Sequence, residues 1–109
     1  MICVPVTAAT MREALADFRE AAAVADLVEL RLDFLRDLDL RALFAARPVS
    51  PATGRPLPVI ATCRPVWEGG RHEGPEEARL AILREAAALG ADSVDVEAKV
   101  APLPDFGRA

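Results

Sequence analysis

Asp26-Leu27-Val28-Glu29-Leu30-Arg31-Leu32-Asp33 alternates apolar and charged residues without a break from Val28 onward. Period-two alternation marks a β-strand, whose successive side chains leave opposite faces. Val28, Leu30 and Leu32 then share one face, and Glu29, Arg31 and Asp33 share the other. The apolar face calls for a packed layer. Three charges on the second face cannot enter an ordinary core without partners. In parallel α/β proteins the C-terminal strand ends carry the binding site. A charged face late in this strand is therefore a candidate site.

Upstream, Ile2-Cys3-Val4-Pro5-Val6-Thr7 reads as a short strand, with Pro5 tolerable near an end or edge. Thr10 followed by Glu13 is a capping-box pattern. Met11, Leu15, Phe18 and Ala22 then recur at helical spacing. Downstream, a second helix is expected over about 37–46, with Leu38, Leu40 and Leu43 inward. Residues 47–58 contain four prolines and Gly54, and read as a loop. Residues 58–64 form a third strand, and residues 65–75 a long loop holding Glu68-Gly69-Gly70. Pro75, Glu76 and Glu77 suit the first turn of a third helix, and Gly90 is placed to end it. Residues 92–99 form a fourth strand. The order βαβαβαβ predicts an α/β fold with a parallel sheet.

Length and composition narrow the functional classes. The 109 residues suffice for one small domain, and 52% apolar residues supply its core. A net charge of -4, with Lys99 the only lysine, argues against a nucleic-acid partner. Cys3 and Cys63 lie in apolar runs and are expected to be reduced core thiols. One histidine and no CxxC motif argue against a metal site. No apolar run approaches the roughly 18 residues of a membrane span, and Met1 to Thr7 lacks the features of a signal peptide. A soluble intracellular protein is expected, with no membrane association.

Four features could carry chemistry. Glu29 and Arg31 suit a polyhydroxylated anion, since arginine offers a fork of donors and glutamate accepts from hydroxyls. The alternative is a solvated strand with a local ion pair. Arg64, ending the third strand, is expected level with Arg31, so that two arginines converge on a carboxylate; the alternative is a surface arginine before Pro65. Glu68 is placed to orient a catalytic base, and Gly69-Gly70 to allow positive φ and close approach; the alternative is a flexible loop. His72 reads as a solvated loop residue. Lys99 would form an imine only if burial depressed its pKa.

Together these stretches resemble type I 3-dehydroquinate dehydratase. The carriers are Ile2-Cys3-Val4-Pro5, the Ala25 to Asp33 strand with its Glu-x-Arg-x-Asp pattern, Thr62-Cys63-Arg64-Pro65-Val66-Trp67-Glu68-Gly69-Gly70, and Gly90 to Glu97. The wording is also similar to the dehydratase half of plant-type bifunctional dehydroquinate dehydratase/shikimate dehydrogenases. The resemblance implies the N-terminal part of a (β/α)8 TIM barrel over residues 1–101, with 102–109 an irregular tail. Ala25 to Arg31 echoes Ala91 to Glu97 at an offset of 66 residues, or two βα units. Eight such units need on the order of 250 residues, the usual barrel size. This chain would then be slightly less than half a barrel, with open sheet edges that call for a homo-oligomer or the remainder of a longer chain.

The resemblance further implies dehydration of 3-dehydroquinate to 3-dehydroshikimate in the shikimate pathway, with no metal or organic cofactor. A lysine forms an imine with the ketone, and a histidine moves the proton. Glu29, Arg31 and Arg64 match substrate-binding positions, and Glu68 matches the glutamate that orients the histidine. Pro5 falls where some bacterial members have a ligand-contacting serine. The family's histidine and lysine lie beyond Ala109, and His72 and Lys99 do not match them, so this chain alone is expected to be inactive. The implied compartment is the cytoplasm, or the plastid for a plant-type enzyme. The alternatives are a noncatalytic half-barrel that binds a polyhydroxylated carboxylate, and a structural fragment.

Overall fold

In the computed structural model, residues 1–95 are described. Four strands, β1 (Cys3–Val6), β2 (Leu27–Arg31), β3 (Val59–Thr62) and β4 (Ser93–Asp95), pair in parallel in chain order. Helices α1 (Met11–Ala21), α2 (Leu40–Ala45) and α3 (Glu76–Ala88) fill the three crossovers. Right-handed crossovers between sequential parallel strands put every helix on the same side of the sheet. Burial agrees: Val28, Leu30, Val59, Ala61 and Cys63 are enclosed, as are Phe18 of α1, Leu43 of α2 and Leu83 of α3. The opposite face, carrying Cys3, Pro5, Glu29, Ile60 and Ser93, is exposed or half-buried.

Thr10 caps α1, its hydroxyl oxygen accepting from the Glu13 N–H at 3.3 Å. The Glu13 carboxylate accepts from the same hydroxyl, so only half of the expected reciprocal cap forms. Helix α2 starts later than expected because Asp39 caps it, accepting from the Ala42 N–H at 3.1 Å. Pro75 stands at the cap of α3 rather than inside its first turn. Gly90 follows the helix with φ 113°, the left-handed conformation that stops it. The fourth strand is described as far as Asp95; its expected continuation, with Glu97, Lys99 and the 102–109 tail, lies outside the described residues.

Two expectations are corrected. The period-two pattern of β2 stops at Arg31, and Leu32–Phe34 winds into a 3-10 turn that buries both Leu32 and Asp33. Cys63 is buried, but Cys3 is exposed, because it projects from the face that carries no helices.

The echo between the two Ala-Asp stretches has a structural counterpart. Asp26 Oδ2 accepts from the Ile2 N–H at 2.6 Å, and Asp92 Oδ2 accepts from the Val59 N–H at 2.7 Å. Each aspartate thus fastens its own strand to the preceding one. Arg47 strengthens the second junction, donating to the Leu57 and Gly90 carbonyls and pairing with Asp92. Among the described residues no helix is long and apolar enough to cross a membrane.

Candidate functional site

The helix-free face becomes polar toward the C-terminal strand ends. Residues paired across a parallel ladder project to the same side. Glu29 pairs with Ile60, and Arg31 with Thr62, which pairs in turn with Asp95. The Thr62 hydroxyl donates to Glu29 Oε2 at 2.8 Å. Arg64 Nη2 donates to Asp95 Oδ2 at 3.0 Å. Arg31 grips both oxygens of Asp33 through Nε at 3.2 Å and Nη2 at 3.0 Å, a planar two-point pair. Glu29, Arg31 and Arg64 therefore belong to one polar strip, each held by its own partner.

Arg64 is not level with Arg31, as the sequence suggested. The register sets Arg31 beside Thr62, so Arg64 lies two residues farther on, a step of about 6.6 Å along a strand. The two arginines are therefore staggered along the mouth at the level of their backbones.

The loop after β3 folds back on itself. The Arg64 carbonyl accepts from the His72 N–H at 3.0 Å, and the Val66 N–H donates to the His72 carbonyl at 3.1 Å. His72 thus serves as a backbone clasp. Gly69 adopts φ 83°. Gly70 passes so close that a Cβ there would stand 2.1 Å from the Arg64 carbonyl oxygen. Both glycines meet the requirement expected of them. Glu68 sits exposed on the 3-10 turn Val66–Glu68, apart from the sheet strip. The Arg71 N–H donates to Asp33 Oδ2 at 3.0 Å, tying the loop to the end of β2.

Sequence reasoning missed Thr62, Asp95 and Arg79. Arg79 is completely buried, and it donates from Nη1 to the Cys63 carbonyl at 2.8 Å. Its Nε and Nη2 meet the two oxygens of Glu76 at 2.9 and 2.6 Å. The pair joins the end of β3 to the start of α3 and so closes the base of the loop. The hydrogen bond from Arg79 is the main cause holding the Glu76 carboxyl below its ordinary pKa. A signal was present: Arg79, Leu83 and Ala86 fall at i, i+4 and i+7 on the inward face of α3.

A pocket of about 430 Å³ opens at the opposite, N-terminal ends, lined by Asp26, Arg47, Ser50, Thr53, Arg55 and Asp92 among others. Arg47 there is already committed to two carbonyls and to Asp92. The C-terminal mouth remains the better candidate. Among the described residues no group of three or more His, Cys, Asp or Glu is arranged to hold a metal ion.

Residues 2–105 match the model of the type I 3-dehydroquinase family. The chain is 42% identical over 106 residues to the chloroplastic bifunctional 3-dehydroquinate dehydratase/shikimate dehydrogenase of Arabidopsis thaliana, covering 93% of this chain and 16% of that protein. It is 40% identical over 101 residues to the 3-dehydroquinate dehydratase of Desulfotalea psychrophila, covering 92% of this chain and 40% of that one. The crystal structure of a type I 3-dehydroquinate dehydratase from Clostridium difficile superposes with a TM-score of 0.72 at 24% identity, over 90% of this chain and 40% of that one. The chain thus spans less than half the length of these proteins. The described strands and helices correspond to the N-terminal part of a (β/α)8 barrel, and the helix-free face corresponds to the barrel's inside.

Proposed function

The chain belongs to the type I 3-dehydroquinase family, and on that premise we propose that it provides the first part of a substrate site for dehydrating 3-dehydroquinate to 3-dehydroshikimate. What supports this most is the polar strip at the C-terminal strand ends, where Glu29, Arg31 and Arg64 share one face of a parallel sheet. A polyhydroxylated carboxylate fits such a strip. Glu29 accepts from a ring hydroxyl, and the guanidinium groups of Arg31 and Arg64 donate to hydroxyl or carboxylate oxygens.

The reaction removes a proton next to the ketone and expels a hydroxyl as water. An imine between the ketone and a lysine draws off the electrons, and a histidine carries the proton from carbon to the leaving oxygen. Glu29, Arg31 and Arg64 bind and orient the ring in this scheme. Glu68 orients the histidine. In this reading neither His72 nor Lys99 takes the role of the histidine or the lysine, and residues 1–109 by themselves bind substrate without turning it over.

Titration calorimetry with 3-dehydroquinate tests the proposal. Saturable binding is expected, weakened about tenfold or more in Arg31→Met and in Arg64→Met, since each loses a charged hydrogen bond of about 1.5–3 kcal/mol. Affinity unchanged in the double variant sinks the assignment of these arginines. Turnover by residues 1–109 sinks the division of labour.

A further inference from the structure

We infer that Arg71 is an additional cation of this mouth, held on the face of Phe34 to receive the carboxylate of an incoming polyhydroxylated acid. The inference rests on the substrate-site reading above and adds a residue to it.

Three observations carry it. The Arg71 backbone is fixed by the hydrogen bond from its N–H to Asp33, the same carboxylate that grips Arg31. Its guanidinium carbon lies 4.7 Å from the centre of the Phe34 ring, and that of Arg31 lies 4.8 Å from the same ring. Two cations around one ring are closer together than a Debye length of about 10 Å, so they act on a ligand jointly. Finally, the other guanidiniums of the region each share some of their donors with a carboxylate, Arg31 with Asp33, Arg64 with Asp95 and Arg79 with Glu76, which offsets part of their charge. Among the described residues no carboxylate or carbonyl accepts from the Arg71 side chain, which is exposed.

A guanidinium resting on an aromatic ring is oriented by its flat face, so its N–H donors point outward from the rim of the plane. That leaves a pre-set fork toward solvent at the entrance, matched to a carboxylate's two oxygens. Nearby acids do not cancel it. Asp33 is shared with Arg31, and among the described residues none of Glu29, Glu68 and Glu73 forms an ion pair with the Arg71 side chain. Charges at a rim chiefly affect encounter and salt dependence.

The test uses the natural chain containing these residues, with 3-dehydroquinate as the probe. Dissociation constants are measured at low and at moderate ionic strength for the parent, Arg71→Gln and Arg71→Lys. Arg71→Gln is expected to weaken binding about fivefold at low salt, about 1 kcal/mol for one solvent-screened ion pair, and to flatten the salt dependence. Arg71→Lys restores the salt dependence and only part of the affinity, because lysine keeps the charge but loses the planar fork. If Arg71→Gln binds within twofold of the parent with the same salt slope, the inference fails while the substrate-site reading stands. If the parent does not bind 3-dehydroquinate at either salt, both fail.

Discussion

The Glu76–Arg79 pair leads to a counter-intuitive ordering of two mutants. Arg79 has no exposure, whereas the Glu76 side chain is 35% exposed. Replacing Glu76 by Gln takes a carboxylate charge away from a guanidinium in the interior. Breaking a fully buried pair in this way costs about 3–5 kcal/mol, and the partial hydration of Glu76 together with the surviving bond to Cys63 reduces that to about 2–3 kcal/mol. Replacing Arg79 by Met removes the buried charge itself. It forfeits a charged hydrogen bond of about 1.5–3 kcal/mol to Cys63, but it also relieves the desolvation of the guanidinium and leaves Glu76 able to hydrate. The expected net loss is about 1–2 kcal/mol. Glu76→Gln should therefore be the more damaging change, although it alters the more exposed partner. The pH dependence supplies an internal control. Because Arg79 lowers the Glu76 pKa, the ionised carboxylate stabilises the fold above pH 4.5, and this contribution is lost as pH falls through the lowered value. Parent and Glu76→Gln should converge there, where both carry a neutral side chain. Urea midpoints across pH measure this. A larger loss in Arg79→Met than in Glu76→Gln, or a gap that persists in acid, refutes the account.

Gly70→Ala drives a Cβ into the backbone of Arg64; a loss of about 1–3 kcal/mol is expected by denaturation, with weaker 3-dehydroquinate binding because Arg64 must shift. Thr62→Val keeps the shape but removes the donor to Glu29; a stability change near 1 kcal/mol and reduced ligand affinity are expected, and unaltered affinity would show that Glu29 needs no such support. Thr10→Ala deletes the α1 cap and should lower stability by about 1 kcal/mol without touching ligand affinity.

Much of the fold was legible because it depends on local periodicity. Val28 and Leu30 alternate with Glu29 and Arg31 as a half-buried strand requires, and Thr10 and Gly90 punctuate the helices through short-range hydrogen bonding or backbone freedom, whereas the Asp39 cap went unread. The site was legible in part. Strand parity assigns Glu29 and Arg31 to one face, but it says nothing of how far β3 slides along β2. The stagger of Arg64 and the place of Thr62 depend on that slide. Leu32 kept the alternating pattern while the backbone had already turned, because the Asp33 carboxylate answers to Arg31 and the Arg71 N–H rather than to the pleat. Cys3 looks like a core residue in sequence, and only the placement of all helices on one side leaves it bare. Arg79 was hidden for the converse reason. Its charge predicts a surface position, and its burial depends on Glu76 and a carbonyl sixteen residues away.

The paired aspartates at the N-terminal strand ends bear on how the sheet comes apart. Asp26 laces β2 to β1 and Asp92 laces β4 to β3, and the second lace is reinforced by Arg47. The middle seam has its own side-chain tie at the opposite end, from Thr62 to Glu29, so the aspartate laces decide how readily the two outer strands loosen, and the Asp92 lace is the better fastened. Deuterium uptake should follow that order, with the Ile2 amide exchanging before the Val59 amide.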